Sequence, residues 1–168
     1  MDAAYRPEQW HDFYVMVGGS AAALTGLIFV AMSLHLRPIL AKPWHRGRAG
    51  WTLLNLLSVL LIAGAILAPG QPLRVLAVEI IAVALISPLY GARGFRHMPP
   101  ERSVAFGLEL AVGLLGASLA LLGGISLLAE QGGGLWLLLP SAAIALASSV
   151  WNAWRLMVDV ASEGGAPF

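Results

Sequence analysis

Residues 14–36 read YVMVGGSAAALTGLIFVAMSLHL, with no formal charge and one ionisable group, His35, near the end. As a helix this stretch would be about 35 Å long, enough to cross a hydrocarbon core of about 30 Å. A helix on a soluble domain carries a polar stripe, and this one has none. Its few polar groups are Ser20, Thr25 and Ser33, whose hydroxyls can bond back to carbonyls of the preceding turn. Gly18, Ala22 and Gly26 recur every fourth residue, a row of small side chains that lets another backbone approach closely in lipid. The basic loop Arg37–Arg48 follows at once.

Composition extends that reading to the whole chain. Of 168 residues, 58% are hydrophobic and 11% charged, against about 25% charged in soluble domains. Residues 1–168 read as a single transmembrane domain. A net charge of +1 gives no reason to expect a nucleic-acid partner. The absence of cysteine removes disulfides, thiolate catalysis and cysteine metal sites together. The N-terminus carries Asp2, Glu8 and Asp12 with one arginine, ahead of an apolar run too long for a signal peptide. It is expected to be a retained anchor.

Four more apolar segments follow, at roughly 51–68, 73–90, 103–129 and 135–160. The turn Pro69-Gly70-Gln71-Pro72 separates the second from the third. Pro88 is expected to kink the last turn of the third span. The fourth carries Gly116, Ala120 and Gly124, again four apart. Glu130, Gln131 and the glycines 132–134 make the last turn, and Pro140 lies near the start of the fifth span.

Orientation follows from the bias of basic residues towards the cytoplasm. Arg37, Lys42, Arg46, Arg48, Arg93, Arg96, Arg102 and Arg155 share one side, and Arg6 and Arg74 the other. The N-terminus is therefore expected outside and the C-terminus in the cytoplasm. The aromatic residues agree. Trp10, Tyr14 and Trp136 fall at outer ends, and Trp44, Trp51, Tyr90, Trp151 and Trp154 at or near inner ends, where rings sit in the headgroups.

A charge in hydrocarbon costs at least about 2.5–3.5 kcal/mol, so each needs a reason. Glu79 falls about seven residues into the third span and Glu109 about six into the fourth. Glu109 shares its depth with Asn55, Asn152 and Arg155, and the expected cluster has Glu109–Arg155 as its ion pair, with Arg155–Asp159 as the competing pair. Glu79 has Ser20 and Ser141 within reach by depth. His11 and Asp12 are adjacent in WHDFY, about 100° apart on a helix, and make a poor chelate alone. His35, His45 and His97 read as ordinary interface residues. There is no HExxH helix, no GxSxG elbow, no aspartate pair within the spans, and the single lysine, Lys42, lies in a loop. No catalytic, metal or cofactor-binding residue is therefore expected.

The run WHDFYVMVGGSAAALTGLIFVAMSLHLRPIL and the tail SSVWNAWRLMVDV resemble a set of small bacterial membrane proteins, common in actinobacteria, many labelled modulators of the FtsH membrane protease. The match covers the first and last helices, and the middle as hydropathy. It implies a bacterial inner-membrane protein and supplies no catalytic residue.

The expected fold is an all-α bundle of five transmembrane helices. Two functions compete. One is a small homo-oligomeric channel or transport-type protein, with Glu79 and Glu109 on a polar path. The small-residue rows would pack its subunits. The other is a non-catalytic accessory that binds another membrane protein, such as a protease. A channel should turn its acids to an axis or cavity; an accessory should pair its carboxylates within one subunit and leave an apolar face open. Membrane lipid surrounds either.

Overall fold

The computed structural model describes residues 3–95 and 100–163, with side chains at 3–93 and 106–162. Two short 3-10 turns, Ala3–Tyr5 and Pro7–Trp10, lead into α1 (His11–Leu34). Then come a six-residue α2 (Leu36–Ala41), α3 (Pro43–Leu67), α4 (Leu73–Phe95), α5 (Pro100–Ala129) and, after a 3-10 turn, α6 (Leu138–Glu163). The described residues contain no strand. Five stretches are long and apolar enough to cross a membrane: Pro7–Leu34, Pro43–Leu67, Leu73–Arg93, Phe106–Ala129 and Gly134–Ser162. The chain is an all-helical, multi-pass protein with the features of a membrane protein.

The largest departure from the sequence reading lies between the first two spans. The supposed loop Arg37–Arg48 is helical, forming α2 and the first turns of α3. The break falls at Lys42, which is extended at φ −122° and ψ 126°. A residue before proline is pushed out of the helical region, and Pro43 then supplies a ready-made helical φ at the first position. This change carries Arg48 from a loop into the bundle. Elsewhere the helices keep their expected places. α4 runs on past Pro88 to Phe95, and Pro140 sits in the first turn of α6, where its missing N–H is harmless.

Helix α3 is the hub and packs against α1, α4 and α6, while α5 joins α4 to α6. α1 stands at the edge, held mainly by α3. One apolar cluster fills the half of the bundle near the N-terminus, from Tyr14, Val17, Ala63, Ile80, Leu127 and Leu138. A second, at the other end, gathers Ile28, Met32, Leu56, Leu156 and Val160. In lipid such contacts stabilise through close packing, because the surrounding chains are as apolar as the core.

That rule explains the glycines, and it changes the reading of the small-residue rows. A Cβ at Gly18 would stand 3.1 Å from the Ala63 Cβ; one at Gly116 would stand 3.2 Å from Ile144, and one at Gly124 3.2 Å from the Ala77 carbonyl. Ala120 is buried between them. The row on α5 therefore packs its own neighbours α4 and α6, not a second subunit. Gly18 likewise serves α3. Only Ala22 and Gly26 of the α1 row face outward, and a Cβ at Gly26 would meet nothing within 4 Å.

The aromatic reading needs correction at three residues. Trp10 and Tyr14 are buried in the apolar cluster near the N-terminus and are not headgroup anchors. Trp51 is no headgroup anchor: it is buried, its Nε1 donates to Ser87 Oγ at 3.1 Å, and its ring lies over Gly91 and Gly113. Trp136 and Trp154 are exposed towards the two ends of the last span, as membrane-interface residues should be, while Trp151 is exposed nearer its middle. At the last turn Gly132, Gly133 and Gly134 all take positive φ (87°, 106° and 47°), which glycine adopts without steric cost. Tyr5 Oη accepts from Gly133 N at 3.1 Å, so the N-terminal turns cap this end.

Candidate functional site

The polar residues of the bundle converge at the end opposite the N-terminus. On α3, Arg48, Thr52 and Asn55 follow at i, i+4 and i+7 and so share one face. Thr52 Oγ1 donates to the Arg48 carbonyl at 2.9 Å and satisfies itself inside the helix. Arg48 reaches across to α5, where its Nη2 donates to both carboxylate oxygens of Glu109 at 2.6 Å. Its Nη1 donates to Asp159 Oδ2 on α6 at 3.1 Å. Arg155, also on α6, adds a second cation to Glu109, Nη1 to Oε1 at 3.2 Å.

Among the described residues, two arginines and two carboxylates thus form one quartet of balanced formal charge across three helices. Its centre is dry: the side chains of Arg48 and Glu109 are 8% and 6% exposed, against 23% for Asp159 and 37% for Arg155. Inside a membrane an isolated charge is costly, but a cluster of zero net charge with charge-assisted hydrogen bonds largely offsets that cost. A cluster like this holds helices in one register. Removing one member costs far more than the cluster adds over apolar packing.

The structure brings together some of the residues expected here and separates others. Glu109 and Arg155 pair as expected. The main partner of Glu109 is nevertheless Arg48, and Asp159 pairs with Arg48 instead of Arg155. Reading Arg48 as a loop base hid it. The i, i+4, i+7 spacing with Thr52 and Asn55 was the signal that could have found it. Asn55 leaves the cluster for its own network, its Oδ1 accepting from Ser87 Oγ, which in turn accepts from Trp51.

Glu79 does not meet Ser20 or Ser141. It lies exposed on α4, where its Oε2 accepts from Gln71 Nε2 at 2.6 Å; Ser141 donates to the Gly116 carbonyl instead. Gln71 reaches it because the Pro69–Pro72 turn folds back along the first turns of α4. Glu79 and Glu109 sit towards opposite ends of the bundle, the first exposed and the second buried. His45 is buried on α3 rather than at the surface, beside Trp44 with ring centroids 5.7 Å apart. His11 and Asp12 touch at 3.2 Å and are exposed. His35 stays exposed, and His97 lies outside the described residues. Among the described residues no group of three or more histidines and carboxylates is placed to hold a metal.

Beside the quartet, α5 and α6 part to leave a cavity of about 400 Å³. Glu109, Asn152 and Arg155 line its polar part, and Leu108, Val112 and Trp151 line its apolar mouth. Asn152 is fully buried there, and among the described residues neither its amide oxygen nor its nitrogen has a hydrogen-bond partner. An unmet buried amide costs about 1–3 kcal/mol. No protein-family model, curated protein or solved structure matches the chain.

Proposed function

We propose that this protein is a non-catalytic accessory of a bacterial inner membrane, which acts by binding another membrane protein. The observation that carries the reading is the saturation of Glu109 by Arg48 and Arg155 of the same chain. A carboxylate that selects or relays ions must be free to meet them, and this one is already neutralised twice. It serves as a latch between α3, α5 and α6. The face of α1 bearing Ala22 and Gly26 is apolar and open to close approach by a partner helix. Among the described residues, Arg37, Lys42, Arg46, Arg48, Arg93 and Arg155 lie towards the end bearing α2 and the C-terminus, which supports a cytoplasmic C-terminus and an external N-terminus.

One observation favours the other reading, a homo-oligomeric channel. Glu79 presents a carboxylate on the exposed face of α4, where copies arranged around an axis would turn it towards water. Ion flux through purified protein in liposomes separates the two. The accessory reading expects no flux from wild-type protein of confirmed mass. Flux that Glu79→Gln abolishes would overturn it and establish the channel.

A further inference from the structure

The quartet explains Glu109, but it does not explain the cavity beside it. That cavity has a direction. Along α6 it runs from Arg155 through Asn152 to Ala147, about 12 Å at the α-helical rise, from the end of the span towards its middle. Its lining changes over that distance from the Arg155–Glu109 pair, through the Asn152 amide and the Ser148 hydroxyl, to apolar Ala147 and Val112. A glycerophospholipid changes in the same order, from phosphate through ester carbonyls to acyl chain.

We infer that the cavity between α5 and α6 is a binding site for one anionic phospholipid of the leaflet on the Arg155 side. Arg155 is the cavity's exposed cation. It spends one N–H on Glu109, and a guanidinium has five, so it retains donors for a phosphate. Glu109 lies beneath and is already neutralised, so it does not repel the anion. Asn152 supplies the second argument. It is fully buried at the cavity with its amide N–H unmet, and a lipid's ester carbonyl accepts from that N–H. Val112 and Ala147 continue the wall inward for an acyl chain, and the exposed Trp151 ring lies beside it. Basic pockets between membrane helices bind acidic headgroups for this reason.

The test is native mass spectrometry of the purified full chain in detergent, with added phosphatidylglycerol or phosphatidylcholine. The expected result is a single retained phosphatidylglycerol and a preference of roughly five- to tenfold over phosphatidylcholine, the size one arginine near a membrane surface supports. Arg155→Gln should erase the preference. Because Arg155 also touches Glu109, a second variant keeps the test independent of the quartet: Val112→Trp fills the cavity and leaves all four charges in place. It should abolish retention of both lipids with helical content unchanged. Equal retention of the two lipids by wild type would overturn the inference. So would phosphatidylglycerol retention that Val112→Trp leaves intact, or displacement of the lipid by glycerol phosphate alone, which would mark a site for a soluble anion.

Discussion

Arg48→Ala tests the quartet directly. The substitution removes two hydrogen bonds of 2.6 Å from Glu109 and one contact of 3.1 Å from Asp159. Breaking a buried ion pair by deleting one partner costs about 3–5 kcal/mol, because the other charge stays buried and uncompensated. Here Arg155 remains 3.2 Å from Glu109 and offsets part of that cost. Asp159 is partly exposed, and its loss adds less than about 1 kcal/mol. The net expectation is about 2–4 kcal/mol, or a fall in the unfolding midpoint of roughly 5–15 °C for a chain of this size. The assay is thermal unfolding of the purified protein in mild detergent, followed by far-UV circular dichroism. Two companions give the number its meaning. Arg155→Ala takes one longer contact from a more exposed side chain and should cost about 1 kcal/mol. The double change Arg48→Met with Glu109→Met removes the buried pair and should lie close to wild type. If Arg48→Ala unfolds within 1 °C of wild type, or if Arg155→Ala is the costlier of the two, Arg48 is not the centre of the cluster and the latch argument fails.

Two further substitutions probe packing and the second carboxylate. Gly113→Ala drives a methyl group into the Trp51 ring and should cost about 1–3 kcal/mol, whereas Gly26→Ala meets open space and should stay within about 0.5 kcal/mol of wild type in the same unfolding assay. Glu79→Gln keeps an oxygen to accept from Gln71 and should change stability by less than about 1 kcal/mol; a larger loss would show that Glu79 has a structural partner beyond Gln71.

The spans were legible because crossing a membrane is a local property. Each segment needs enough apolar residues and satisfied backbone groups, and a window of one sequence contains both facts. Hence the run at residues 14–36 and the four later segments all appear, with most ends shifted by a few residues and the start of the second moved back to Pro43. The polar residues were legible as candidates for the same reason, since each charge in hydrocarbon stands out. Their partners were not. Glu109 meets Arg48 across 61 positions of sequence, and Asp159 meets it across 111. Depth along a helix can be counted, but depth leaves open which face a side chain takes. Glu79 showed this: equal depth suggested Ser20 and Ser141, and rotation of α4 turned it outward to Gln71 instead. Trp51 showed it again, with a depth that fits the interface and a face that points into the core.

The sequence by itself determined that the chain is a bundle of five apolar helices, which ends carry the basic residues, and that a few charges must be compensated. Only the tertiary structure decided how they are compensated. It continued α3 back to Pro43, brought Arg48 into the bundle and placed it on Glu109 and Asp159. The physical reason is that apolar spans are interchangeable in lipid, where hydrophobic burial does not favour one neighbour over another. Close-packed glycines and the matching of a few charges choose the neighbours, and both depend on which helix faces meet.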